Sequence, residues 1–266
     1  MNQNRRSFLI KMGCMCCSPI LLPSCTKVAI TNRSQLSIYP ESVINRNAFN
    51  AYQNIKKTSN LSSNNKQNTQ LNTVGLKITK AVEKYFYEIK KPEVISNFNW
   101  EFILIEEDTL NAWCMPGGKI AFYTGILEIT QNEDGMAAVM GHEIAHAVAK
   151  HSVERASQAA LLNIGSTILD TALDGVLSST TLDDYIVQLG LNLPYGRLQE
   201  SEADYLGLIF MTLAGYNNQE SIKVWERMEE ANKGKEIPEF LSTHPTPGNR
   251  IKKIQQWIPE IDARYA

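Results

Sequence analysis

Apolar positions recur along this chain at two periods, and the change from one to the other outlines an architecture. Residues 41–57, beginning Glu41-Ser42-Val43-Ile44, read as a modest helix. In 73–90, Val74, Leu76, Ile78, Ala81, Val82, Tyr85 and Phe86 carry the spacing of an amphipathic helix. The only convincing β region follows. It comprises a strand from Trp100 to Ile105, a second from Asn111 to Met115, a turn at Pro116-Gly117-Gly118, and a third strand from Lys119 to Tyr123. Everything beyond about residue 124 reads as helix. The pattern predicts an α+β fold, mainly helical, with a short sheet packed against the later helices.

Polar stretches punctuate this pattern. Residues 58–72 are rich in Asn, Ser, Gln and Lys and read as a flexible loop. Residues 26–40 read as a tether, which leaves 41–266 as the folded domain. The first 25 residues read as an address. Asn4-Arg5-Arg6-Ser7-Phe8-Leu9 resembles a twin-arginine export signal, with Met12 to Pro23 as its weakly apolar core. Leu22-Pro23-Ser24-Cys25 resembles a lipobox, in which Cys25 becomes the lipidated N-terminus, although Pro23 departs from that pattern. No later run reaches 18 apolar residues, so no transmembrane helix is predicted.

Composition narrows the function classes. Lys plus Arg total 26 and Asp plus Glu 28, for a net charge of -2, so nucleic-acid binding has no electrostatic support. Of five cysteines, Cys14, Cys16, Cys17 and Cys25 crowd the N-terminus and only Cys114 lies in the body. That distribution predicts no disulfide framework.

The chemistry sits in Gly141-His142-Glu143-Ile144-Ala145-His146, which contains H-E-x-x-H within a stretch of good helix formers. On a helix, i and i+4 share a face, so His142 and His146 point two imidazoles at one ion. Glu143 is rotated about 100° away, beside the metal, where it serves as a base for water. A catalytic zinc site needs a third protein ligand. Ala149 and Ser152 occupy the Gly and His positions of the extended motif H-E-x-x-H-x-x-G-x-x-H, which excludes that class. Glu200-Ser201-Glu202-Ala203-Asp204 offers a carboxylate from a later helix. Glu200 is the first choice as ligand and Glu202 the alternative. Asp204 shares a face with Glu200 and can accept a hydrogen bond from the far nitrogen of a ligand histidine, His142 first.

These elements, together with Asn111-Ala112, the Gly-Gly-containing strand, Thr243-His244-Pro245 and Arg250-Ile251, occur in an order that resembles a family of zinc peptidases. That family includes the CAAX prenyl protease, HtpX-like proteases, the mitochondrial Oma-like protease and periplasmic lipoprotein proteases of outer-membrane assembly. The resemblance implies a zincin-like fold with Zn2+ as cofactor. It also implies that His244 lies near the zinc, as an oxyanion stabiliser or a reversible ligand. Asn111 matches a substrate-contacting position, and Arg250 is expected to pair with a carboxylate. His151 matches the family pattern, but its i+5 offset from His146 suggests a structural residue.

The implied activity is hydrolysis of peptide bonds in unfolded or misassembled envelope proteins, in the periplasm, on a lipid anchor at the outer membrane. The strand Lys119 to Tyr123 is a candidate to pair with an extended substrate. The low-charge stretch 156–194 is a candidate cover for the cleft. Two other readings compete: an idle, chaperone-like binding lipoprotein, and a zinc amidase of cell-wall peptides. The leader is tested on its own. Radioactive palmitate is expected to label the wild-type chain and not Cys25→Ser; an unlabelled wild type removes the anchor.

Overall fold

A computed structural model describes residues 24–159, 194–233, 238–245 and 248–266. The twin-arginine stretch, the crowded cysteines before Cys25 and most of the expected cleft cover lie outside the described residues. The described residues open with a hairpin of β1 (Ser24–Lys27) and β2 (Ser34–Ser37), antiparallel, with Cys25 opposite Leu36. The expected tether is therefore ordered structure. Val28 is buried in the main core, Lys91 Nζ donates to Ala29 O at 2.8 Å, and Arg33 reaches two later helices.

Helix α1 (Glu41–Thr58) buries Ile44, Ala48 and Tyr52, one per turn. Helix α2 (Asn65–Glu88) starts eight residues before the expected position, inside the polar stretch. Asn64 accepts from the Lys66 and Gln67 N–H groups as its N-cap, and the polar residues that follow lie mostly on the water side of the first turns. What remains of the predicted loop is pinned to the sheet. Ser62 N donates to Leu104 O and Glu106 N donates to Asn60 O, both at 2.8 Å.

The sheet comprises β3 (Glu101–Ile105), β4 (Ala112–Met115) and β5 (Lys119–Tyr123) in the order β3-β5-β4. β3 runs parallel to β5, and β4 antiparallel to it. Gly117 and Gly118, at φ +84° and +83°, make the turn between β4 and β5. A Cβ on Gly118 would also lie 2.6 Å from the Trp100 ring. β5 is thus the middle strand, with both edges hydrogen-bonded within the protein. It cannot accept a substrate strand, which corrects the expectation for Lys119 to Tyr123. The remaining edge belongs to β4.

After the short helix α3 (Leu127–Thr130), helix α4 (Glu133–Val148) runs through the centre. Asn132 caps it by accepting from Gly135 N at 2.8 Å, and Glu133 and Asp134 face its positive end. Nearly every later residue of α4 is buried, as expected of a helix covered on all sides. Lys150 then adopts a left-handed conformation at φ 59°, and a new helix, α5, covers 151–159.

Helix α6 (Arg197–Leu213) lies against α4, and α7 (Glu220–Ala231), α8 (Glu239–Thr243) and α9 (Arg250–Tyr265) close the helical side. α4 and α6 touch backbone to backbone. A Cβ on Gly141 would sit 2.8 Å from Gly207 O, and one on Gly207 would sit 2.8 Å from His142 N. This fold, mainly helical with a small sheet beside α4, is the expected α+β class.

The crossing yields a prediction. Gly→Ala inside a helix ordinarily stabilises by up to about 1 kcal/mol. At Gly207 the new methyl meets backbone that cannot yield, so overpacking of about 1–3 kcal/mol decides the sign. Urea unfolding of Gly207→Ala is expected to show a lower midpoint than the wild type.

Candidate metal centre

α4 carries His142, Glu143 and His146; α6 carries Glu200, Glu202 and Asp204. Because the two helices meet at glycines, the carboxylates of α6 reach the imidazoles of α4. His142 Nε2 and His146 Nε2 are 3.1 Å apart. Glu200 places Oε2 3.7 Å from His142 Nε2 and Oε1 3.3 Å from His146 Nε2. Four donor groups, those of His142, His146, Glu200 and His244, lie within 4.8 Å of one another, and all four are buried.

Asp204 Oδ1 lies 3.0 Å from His142 Nδ1 and accepts from Arg250 Nη2 at 2.6 Å. A carboxylate there only accepts, so Nδ1 carries the proton and Nε2 presents its lone pair to the cluster. Arg250 Nη2 also lies 3.0 Å from Glu200 Oε2, without the alignment of a hydrogen bond. Its guanidinium stacks 3.4 Å above the Trp225 ring. His244 enters from the end of α8. Its Nδ1 is 3.1 Å from Phe240 O and its Nε2 3.4 Å from Glu143 Oε1.

Asn111 is buried just before β4, with its side-chain oxygen accepting from Ala112 N–H at 2.8 Å. The chain around it is tied to α8, because Phe240 N donates to Leu110 O. Glu202, the alternative ligand, faces away from the cluster toward His151 and Arg33.

Three aromatic residues of the site carried no sequence signal. Tyr195 stacks on His146 with ring centroids 3.9 Å apart, Phe240 stacks on His244 at 4.4 Å, and Trp225 lies 5.8 Å from His142. They come from loops and neighbouring helices with no spacing that ties them to the motif.

Burial dominates the electrostatics. It pushes His142 below the ordinary imidazole value against the pull of Asp204. His146 and His244 fall well below it, through burial first and the neighbouring histidine charge second. Burial and then the charge of Glu200 push Glu143 well up, with the Cys114 backbone opposing. Glu200 is raised to about 8 by burial, which the Arg250 charge only partly offsets. Burial would raise Asp204 too, but Arg250 and His142 outweigh it and hold that carboxyl low.

A zinc ion fits this donor set. Tetrahedral N and O ligands at about 2.0–2.1 Å stand about 3.3–3.4 Å from one another, against the 3.1, 3.3 and 3.7 Å separations among His142, His146 and Glu200. Glu143 Oε1, both oxygens of Glu200 and His244 Nε2 are buried with no hydrogen-bond partner in the protein. Buried acceptors are costly unless a donor or a cation meets them.

Two histidines one helical turn apart, a carboxylate from a second helix and a glutamate beside them match the pattern of metallopeptidases in which glutamate completes the ligand set. The chain belongs to Peptidase family M48, whose sequence pattern matches residues 66–258. It is 40% identical over 172 residues to the mitochondrial metalloendopeptidase OMA1 of Schizosaccharomyces pombe, covering 64% of this chain and 50% of that protein. With the protein of the same name from Saccharomyces cerevisiae it shares 36% identity over 200 residues, covering 69% and 57%. With the beta-barrel assembly-enhancing protease of Escherichia coli it shares 28% over 168 residues, covering 57% and 33%. The chain thus spans about half the length of the yeast relatives and a third of the bacterial one.

The raised Glu200 carboxyl gives a pH prediction for the metal-free protein. Its folded value, about 8, exceeds the ordinary 4.5. The folded state therefore binds more protons in that window, and the contribution of Glu200 to stability falls as pH rises through it. Glu200→Gln removes the buried charge. At pH 9 the metal-free variant is expected to melt above the metal-free wild type, with the gap shrinking as pH falls toward 4.5. A gap that stayed constant with pH would refute the assignment.

Proposed function

We propose that this chain is a zinc-dependent metalloendopeptidase, with His142, His146 and Glu200 as ligands and Glu143 as the general base. The observation that carries the reading is Glu143 itself. Its carboxylate is buried beside the donor group, with Oε1 lacking a hydrogen-bond partner while the Cys114 backbone meets the carboxylate, and it is not needed as a ligand. A binding scaffold, catalytically idle, has no use for a buried base there, and membership of a peptidase family favours a protein substrate over a cell-wall peptide.

A bound zinc ion supplies Lewis-acid chemistry at the scissile carbonyl. The protein supplies the rest. Asp204 fixes the His142 tautomer, and Arg250 holds Asp204 charged. Glu143 takes a proton from the attacking water and passes it to the leaving amine. With a cation held by His142, His146 and Glu200, the raised Glu143 carboxyl would return toward the ionised form that this step requires. Among the described residues no strand pairs with the outer edge of β4, where the Cys114 backbone meets Glu143, and that edge is the place for an extended substrate to add as a strand. Asn111, at the head of that strand, would then be near the substrate backbone.

One observation bears on the two roles of His244. Nδ1 faces the Phe240 carbonyl at 3.1 Å and the Thr243 hydroxyl at 2.9 Å; with its proton given to the carbonyl, Nε2 is a bare lone pair turned toward the cluster. An oxyanion needs a donor, whereas a metal needs a lone pair. That tautomer makes His244 a reversible ligand, whereas donation from Thr243 to Nδ1 would leave Nε2–H as an oxyanion donor.

For the setting, we propose export through the twin-arginine leader and a lipid anchor at Cys25, which is exposed at the head of the hairpin. No helix among the described residues is long and apolar enough to cross a membrane. Unfolded or misassembled envelope proteins are the proposed substrates, and the outer-membrane assembly machinery a partner. The name of the Escherichia coli relative favours that setting, and the mitochondrial relatives share the catalytic body.

Casein hydrolysis by the wild type and Glu143→Gln tests the reading. The variant is expected to keep equal zinc and lose about 10²–10⁴-fold or more in rate. Equal rates in the two would overturn the role of Glu143, and a wild type that binds no zinc would overturn the whole reading.

A further inference from the structure

We propose that His151 is a positioning residue for His146, fixed by Glu202 and through it by Arg33, so that the N-terminal hairpin is a working part of the metal centre. The inference rests on reading His142, His146 and Glu200 as metal ligands.

On a continuous helix, His151 would point away from His146. The helix is not continuous. Lys150 is left-handed at φ 59°, a conformation uncommon for a residue with a side chain, and it redirects the chain into α5. Lys150 Nζ pairs with Glu41 Oε2 at 2.6 Å, which helps to hold the break. The redirection brings His151 Nδ1 to 2.8 Å from His146 Nδ1, in a fully buried contact.

From there an unbroken line of contacts runs outward. His151 Nε2 is 3.0 Å from Glu202 Oε2, and Arg33 Nε donates to the same oxygen at 2.6 Å. The Thr31 hydroxyl donates to the other oxygen of Glu202. Arg33 also forks onto Glu154 of α5 at 2.7 and 2.8 Å, and Glu154 accepts from Gln199, the residue before Glu200, at 2.7 Å.

Only one arrangement of protons satisfies this line when His146 binds metal through Nε2. The His146 proton must then sit on Nδ1 and be donated to His151 Nδ1. His151 therefore carries its own proton on Nε2 and donates it to Glu202, which must be ionised. Arg33 and Thr31 hold it so. Each bond points outward from the metal face. The result mirrors the other ligand, where His142 donates to Asp204 and Asp204 is held by Arg250. Each ligand imidazole thus has its outer nitrogen bonded and a carboxylate held by arginine behind it. One arginine comes from α9 and the other from the hairpin. Outer partners of this kind orient the ring and raise its basicity.

The test uses the full chain. Zinc affinity is measured by competition with a chromogenic chelator, and the metal environment by the visible absorption of the cobalt-loaded protein. His151→Leu is expected to weaken zinc binding about 10-fold or more and to alter the cobalt spectrum. His151→Gln offers a carbonyl to His146 and an amide N–H to Glu202, and is expected to recover most of the affinity. Arg33→Met should weaken binding in the same direction, by less. Val28→Ala is the control, since it loosens the hairpin through a core cavity and leaves the line of contacts intact. Its affinity should match the wild type. If His151→Leu and Arg33→Met keep wild-type affinity and spectrum, the proposal fails while the metal site stands. If Val28→Ala weakens zinc as much as Arg33→Met, the effect is hairpin stability and the proposal also fails. A wild type that binds neither metal removes the metal reading and the proposal together. Should His151→Leu not fold, His151→Gln and Arg33→Met still decide.

Discussion

Charge kept out of water governs the centre of this protein. Three carboxyl groups, three imidazoles and a guanidinium share the apolar space between α4, α6 and α8, and each ionised group there is expensive unless something meets it. The arrangement is therefore graded. Asp204 is held charged by Arg250 and His142, whereas Glu200 and Glu143, nearer the metal face, are pushed toward the neutral form until a cation arrives. The same gradient separates support from chemistry. Groups already bonded within the protein orient the ligands, and those with unmet lone pairs face the place where the metal and substrate act.

That gradient depends on distances only two glycines permit. With any side chain at Gly141 or Gly207, α6 would stand farther from α4, and Glu200 and Asp204 would lose their reach to His142. The polar centre is thus built by backbone packing, and the aromatic rings of Tyr195, Trp225 and Phe240 then seal it from the sides.

Much of this was legible in the chain because the relevant spacings are local. The offset of His142 and His146 is one helical turn, the strands 101–105 and 119–123 sit between clear turn signals, and Glu200 and Asp204 are again one turn apart. What was hidden depends on tertiary context. An Asn cap turned a polar loop into the first turns of α2. A buried Val28 and the pairing of Arg33 turned a tether into a hairpin. Strand order placed β5 in the middle of its sheet, which no reading of β5 alone reveals. His151 looked misdirected because i+5 assumes an unbroken helix, and the left-handed Lys150 breaks it.

Cys114 lies on β4 beside Glu143, fully enclosed, and burial first and the Glu143 charge second push its thiol well above the ordinary range. The reactive form of cysteine is the thiolate, and oxidants must also reach it. Cys114 offers neither, so it behaves as a small apolar core residue. Cys25, the other described cysteine, is exposed and free, so no disulfide among the described residues has to form before the fold is complete. The described tertiary structure needs no disulfide and can be completed in a reducing compartment as well as in an oxidising one.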